Sequence, residues 1–246
     1  MPVKFSVVSY LNTLPFLYGI QHTPQLAGQI SLQLDIPSVC AQKLKDGTVD
    51  AGLVPVALLP HLPQYHIISN YCIGAVGKVK SVLLLSHVPL EEIQQVMLDY
   101  QSRTSVTLVQ ILAREYWKIT PEFVNTTQGF EATLQGTTAA VIIGDRTFGL
   151  HDKYTYVYDL AEEWQRFTGL PFVFAVWASN KPLDEAFLAD FNAALHYGLQ
   201  HKAEAAKLVN LPNVDEAEAL EYFEKYISYE LDVDKRKGLE LFLSYL

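Results

Sequence analysis

The 246-residue chain has only two cysteines, Cys40 and Cys72, which share neither CxxC spacing nor a dense framework. A disulfide-stapled fold and a thiolate metal centre are therefore not expected, and two buried thiols are the simpler reading. Positive charge is also scarce. Eighteen Lys and Arg against 27 Asp and Glu give a formal charge of -9, which argues against a nucleic-acid partner, since backbone binding requires a local basic excess. No apolar run approaches the roughly 20 residues that cross a bilayer, so no membrane partner is expected. The opening MPVKFSVVSY enters a strand without the basic head, apolar run and small-residue cleavage site of a leader, and a cytoplasmic location is the expectation. A phosphate loop and a GxGxxG fingerprint are missing. The histidines of GIQH, PHLP and SHVP stand singly rather than in a zinc pair, so neither a cofactor nor a metal is expected.

What is present is a folded chain, half apolar and 12% aromatic, long enough for one large domain or two lobes. Val3 to Val8 reads as a buried strand, Leu14 to Ile20 as a short helix opened by Pro15, and Ile30 to Leu34 as a second strand. A helix from Pro37 to Lys45 and a strand from Ala51 to Val54 complete a β-α-β-α-β rhythm, the mark of an α/β fold with a mainly parallel sheet. Ile67 to Ile73 and Val79 to Leu85 read as strands parted by GAVG, and Leu90 to Met97 and Val106 to Trp117 as helices. Phe130 to Leu134 reads as a helical turn, and Ala139 to Ile143 and Phe172 to Trp177 as further strands. Leu183, Phe187, Phe191, Leu195 and Leu199 recur every four residues and predict a one-faced helix.

Composition changes near residues 80 and 175. The expected organisation is a first lobe of residues 1–80 with 175–246, whose helices return to cover it, and an inserted second lobe of residues 81–174. Two lobes joined by crossing strands leave a ligand cleft between them.

Polar residues recur where these strands end. SYLNTLPF places Ser9, Asn12 and Thr13 after the first strand and before a helix, where free N–H groups and the helix dipole favour an anion. Capping by Thr13 and a turn at Asn12 explain the same residues. Ser81 opens SVLLLS at the lobe boundary. Ser102, Thr104 and Ser105 precede a helix, and Gly144, Asp145, Arg146 and Thr147 follow an apolar strand. For Thr104, Ser105 and Asp145, capping and ligand binding draw on the same orphan N–H groups, and both readings stay open. Lys78, Lys80, Arg103 and Arg146 are candidate carboxylate partners. Trp164 and Trp177 read as core, and Phe172 or Phe174 as an apolar wall of the cleft.

SYLNTLPF, GLVPVALLP, CIGAVGKVKSVLLLS, SRTSV, AAVIIGD and the block from Asp159 to Trp177 together resemble the menaquinone-biosynthesis family MqnA, chorismate dehydratase. The resemblance runs through most of residues 3–178 in consistent order, and the C-terminal helices look generic. It implies a two-lobed fold similar to type II periplasmic binding proteins and a lyase that turns chorismate into 3-[(1-carboxyvinyl)oxy]benzoate and water without metal or redox cofactor. On the matching motifs it implies catalytic roles for Asn12 and Ser81, with Asp145 orienting the substrate or assisting proton transfer. Ser9, Thr13, Ser102, Thr104, Ser105 and Gly144 are the expected substrate contacts. No histidine matches a catalytic position well; the nearest is His87. The substrate's own enolpyruvyl carboxylate is therefore the expected base. The alternatives are the similar 1,4-dihydroxy-6-naphthoate synthase, which would use a histidine base, and a solute-binding protein using the same cleft.

Overall fold

A computed structural model describes all residues from 1 to 246. Two sheets divide the chain. The first has six strands in the order β11-β4-β10-β3-β1-β2, formed by β1 (Val3–Val8), β2 (Ile30–Asp35), β3 (Ala51–Pro55), β4 (His66–Ala75), β10 (Phe172–Ser179) and β11 (Ser228–Glu230). The second has five in the order β7-β6-β8-β5-β9, from β5 (Val82–Ser86), β6 (Gln95–Leu98), β7 (Glu122–Asn125), β8 (Thr138–Ile143) and β9 (Tyr156–Asp159). The fold is thus two-lobed α/β, with one sheet per lobe. β1 runs parallel to β2 and β3, whereas β10 enters antiparallel between β3 and β4. The expected boundary between residues 174 and 175 falls inside β10. By sheet membership we propose placing it at the start of that strand.

Helices α1 (Leu14–Gln21), α2 (Pro37–Lys45), α3 (Thr104–Ile111), α4 (Leu160–Thr168), α5 (Glu185–Gln200), α6 (Lys202–Ala206), α7 (Glu216–Glu221) and α8 (Val233–Ser244) dress the sheets. The four-residue stripe of α5 buries Phe187, Phe191 and Leu195. Phe191 meets Trp177 edge-on at 5.1 Å, and Trp177 meets Phe16 of α1 at 5.6 Å. Such pairs contribute about 0.5–1.5 kcal/mol each beyond their burial. On the other side of β10, Trp164 of α4 meets Phe172 at 5.3 Å. Gly19 and Gly198 let α1 and α5 touch backbone to backbone, since a Cβ on either would collide with a carbonyl of the facing helix.

Two sequence expectations change here. Leu90 to Met97 is not a helix: a single 3-10 turn, Leu90–Glu92, precedes β6. QVML alternates half-buried and buried residues and pairs parallel with both β7 and β8, so sheet pairing overrides the weak helical pattern. Val106 to Trp117 is helical but changes winding, passing from α3 into a π turn at Leu112–Trp117.

Candidate functional site

The two lobes meet over a recess of about 520 Å³ that is partly open to solvent. Its walls come from strand ends and the loops that follow them. Val8 ends β1 and Tyr10 and Asn12 follow it, Pro55 ends β3, Ser81 precedes Val82 at the start of β5, and Ile143 ends β8 with Gly144 after it. Ser102, Thr104 and Ser105 enter from the start of α3, and Phe174 and Ala175 from β10. Apolar strands bury the sheet and leave their polar ends at this junction, as in open α/β folds generally.

Six expected site residues therefore share one cavity: Asn12, Ser81, Ser102, Thr104, Ser105 and Gly144. Three do not line it. Ser9 is exposed, its N–H donating to the Asp35 carbonyl at 3.0 Å. Thr13 is buried beneath the loop and its hydroxyl donates to Asn12 Oδ1 at 3.2 Å; it gives α1 no side-chain cap. Asp145 crosses between the lobes, Oδ1 accepting the Leu11 N–H at 2.9 Å.

Within the set the hydroxyls have different surroundings. Thr104 Oγ1 accepts from the Ala57 N–H at 3.3 Å and donates to the Phe174 carbonyl at 3.1 Å, so it ties α3 to the first lobe. Ser102, not Thr104, accepts the helix N–H, that of Ser105 at 3.0 Å. Gly144 adopts φ +67°, and a Cβ there would lie 2.5 Å from the Tyr10 ring. Glycine alone lets Tyr10 close over this wall.

None of the four candidate cations lines the cavity. Lys78 approaches Glu162 at 3.9 Å, Lys80 lies 4.0 Å over the Tyr226 ring, and Arg103 donates to Gln42 at 3.2 Å. Arg146 is held by Asp99 and Glu131. His87 is exposed and packs on Tyr154 at 5.1 Å. The lining offers an anion only neutral donors: hydroxyls, an amide and backbone N–H groups, including those at the start of α3. No group of three or more His, Cys, Asp or Glu is placed to hold a metal.

Burial raises the Asp145 carboxyl to about 6, although the Leu11 N–H pulls the other way. Burial likewise raises Asp159 to about 6 against four backbone N–H donors. Two of those cap α4 and two, from Val79 and Lys80, fix the turn before Ser81.

Three residues close to this chemistry escaped the sequence reading of the site. Tyr10 lies inside the SYLNTLPF motif; it lines the cavity and its hydroxyl donates to Gln101 of the second lobe. Tyr222 bonds Ser81, oxygen to oxygen, at 2.6 Å, and the Tyr229 hydroxyl donates to the Asn12 carbonyl at 3.0 Å. Both come from the C-terminal region, whose sequence looked generic. Phe174, one of two candidates for an apolar wall, lines the cavity, and Phe172 belongs to the core.

A family profile described as menaquinone biosynthesis matches residues 3–246. A Thermus thermophilus protein named chorismate dehydratase is 27% identical over 270 residues, covering 100% of this chain and 95% of the relative. Among solved structures, protein AF1704 from Archaeoglobus fulgidus superposes with a TM-score of 0.76 at 13% identity, covering 99% of this chain and 96% of the other. The periplasmic aliphatic sulphonate binding protein SsuA from Escherichia coli does so with a TM-score of 0.59 at 14% identity, covering 99% and 92%. These likenesses carry the periplasmic-binding-protein type of fold. They also correct the expected location. A periplasmic protein shares this architecture over nearly the whole chain, so the cytoplasmic reading is withdrawn. No helix is long and apolar enough to cross a membrane.

Proposed function

The chain belongs to the menaquinone-biosynthesis family, and on that premise we propose that it dehydrates chorismate to 3-[(1-carboxyvinyl)oxy]benzoate and water. The observation that carries this reading is the shared cavity of Asn12 and Ser81 with Ser102, Thr104, Ser105 and Gly144, together with whole-length similarity to a relative named chorismate dehydratase.

Chorismate carries a ring carboxylate conjugated to C1=C2. Removal of the C3 proton delocalises charge toward that carboxylate. The C3–H electrons become the new ring π bond as the C4–O bond breaks, and the departing hydroxyl takes up a proton to leave as water. The enzyme's tasks are to hold two carboxylates, to stabilise the growing charge and to fix one conformer against competing pericyclic reactions. The neutral lining suits the first two, because fixed dipoles in a water-poor cleft act without reorganising. With no histidine or free lysine on the walls, the substrate's enolpyruvyl carboxylate serves as base. Asn12 and Ser81 orient the substrate and assist loss of the hydroxyl, and the residues at the start of α3 hold a carboxylate. Asp145 acts through Leu11, setting the loop that carries Asn12.

The decisive experiment is incubation of the purified protein with chorismate alone and identification of the product. An enolpyruvyl-oxybenzoate formed without added cofactor is expected, and Asn12→Ala should lower turnover at least 100-fold, the scale of losing a transition-state donor, with the fold retained. Near-native turnover by that variant would remove Asn12 from the mechanism. Tight binding of chorismate without product would favour a solute-binding role, to which the SsuA-like architecture lends itself.

A further inference from the structure

Ser81 has a partner that the cleft itself does not reveal. Tyr222 opens a π turn, Tyr222–Tyr226, directly after α7. Such turns shift the helical register by a residue and are frequent at functional sites. Here the shift sets a fully buried phenol against Ser81 at 2.6 Å, with its ring edge-on to Phe148 at 5.3 Å. Tyr222 does not line the cavity and Ser81 does, so the serine relays between the phenol and any bound molecule.

We propose that Tyr222 is a positioning residue: it donates to Ser81 Oγ and so turns the single serine hydrogen toward the cleft, where it meets the departing C4 hydroxyl. This rests on the dehydration reading above. A serine hydroxyl has one hydrogen and two acceptor sites. Filling one acceptor site from behind leaves the hydrogen for the substrate.

A phenol is a stronger acid than an aliphatic alcohol and its oxygen the poorer acceptor, so the proposed direction puts the phenol hydrogen on Ser81 Oγ. Burial, and the negative charge of Asp145, hold Tyr222 protonated well above neutral pH; it is a constant donor. The contact backs one catalytic candidate, Ser81, with a residue 141 positions away in sequence. A buried tyrosine in want of any partner would show the same contact, and the test separates the two cases.

The test is a double-mutant cycle on Tyr222→Phe and Ser81→Ala, read as kcat and KM for chorismate with thermal stability alongside. Tyr222→Phe should lower kcat about 10-fold, the scale of one neutral hydrogen bond lost in the transition state, with KM within about twofold. In the Ser81→Ala background the same change should alter kcat by less than about twofold. Wild-type kcat in Tyr222→Phe, or its full effect persisting without Ser81, overturns the proposal. Should Tyr222→Phe not fold, 3-fluorotyrosine at 222 keeps the hydroxyl as a stronger acid and should measurably alter kcat; an unaltered kcat overturns the proposal. Failure of the dehydration reading shows separately, as absence of product from the wild type. The cycle is then read in the Kd for chorismate, where coupling between the two residues supports the contact's role and strict additivity overturns it; absence of binding as well overturns both readings.

Discussion

At the scale of single residues, Asp145 is the most sensitive point of the cleft. Its carboxyl lies near 6, against an ordinary value of 3.8, because it is buried with one N–H donor. A carboxyl raised in the folded state stabilises the fold below its unfolded value, and that stability is lost as pH rises through the folded one. The Tm of wild type minus that of Asp145→Asn should therefore fall by several degrees between about pH 4 and pH 7 and then level off. A difference that is flat over that range, or that grows, would show that Asp145 does not titrate as described. The sequence marked this residue but left it between cap and catalyst, because the partner that decides, Leu11, lies 134 positions away. Tyr222 and Tyr229 were less legible still. Nothing in EYFEKYISYE distinguishes a tyrosine that braces the cleft from one that fills a core.

At the scale of elements, strands with buried β-branched and aromatic residues were readable, and very short strands were not. The edge strand β11 has three residues, and the interior strand β6, of four, looked helical until its two neighbours were known. The element that matters most is the turn between β4 and β5. Lys80 sits there at φ 63°, a conformation a lysine adopts at a cost. The Asp159 carboxylate holds it through the Val79 and Lys80 N–H groups at 2.9 and 2.7 Å while capping α4. Asp159→Ala removes a cap and strands buried donors, a loss of about 3 kcal/mol, or roughly 6–12 °C in Tm. Ser81 directly follows this turn, so kcat should fall even well below the new melting temperature. Native kcat in the folded variant would detach the turn from the chemistry.

At the scale of the whole molecule, the described form is a closed one. Leu11 bonds Asp145, Ala57 bonds Thr104, Tyr10 bonds Gln101, and the Ser38 N–H donates to the Gln101 carbonyl at 3.1 Å. These contacts hold the lobes together over a recess only partly open to solvent, and the lobes are expected to part as a substrate enters. Small-angle scattering should give a larger radius of gyration for the free protein than after addition of chorismate, and amide exchange at Leu11, Ser38 and Ala57 should slow on binding. Identical scattering and exchange in both states would mean that entry does not require opening.

The placement of β10 has another consequence, for synthesis of the chain. It is inserted between β3 and β4, which precede it by about 100 residues of sequence. The sheet of the second lobe is contiguous, from residue 82 to residue 159, and can form as it leaves the ribosome. The sheet of the first lobe cannot join until Phe172–Ser179 has been made. Meanwhile β3 waits with one unpaired edge and β4 with two, templates for mispairing. The N-terminal lobe thus begins first and finishes last, and the cleft between the lobes is the final part of the molecule to be built.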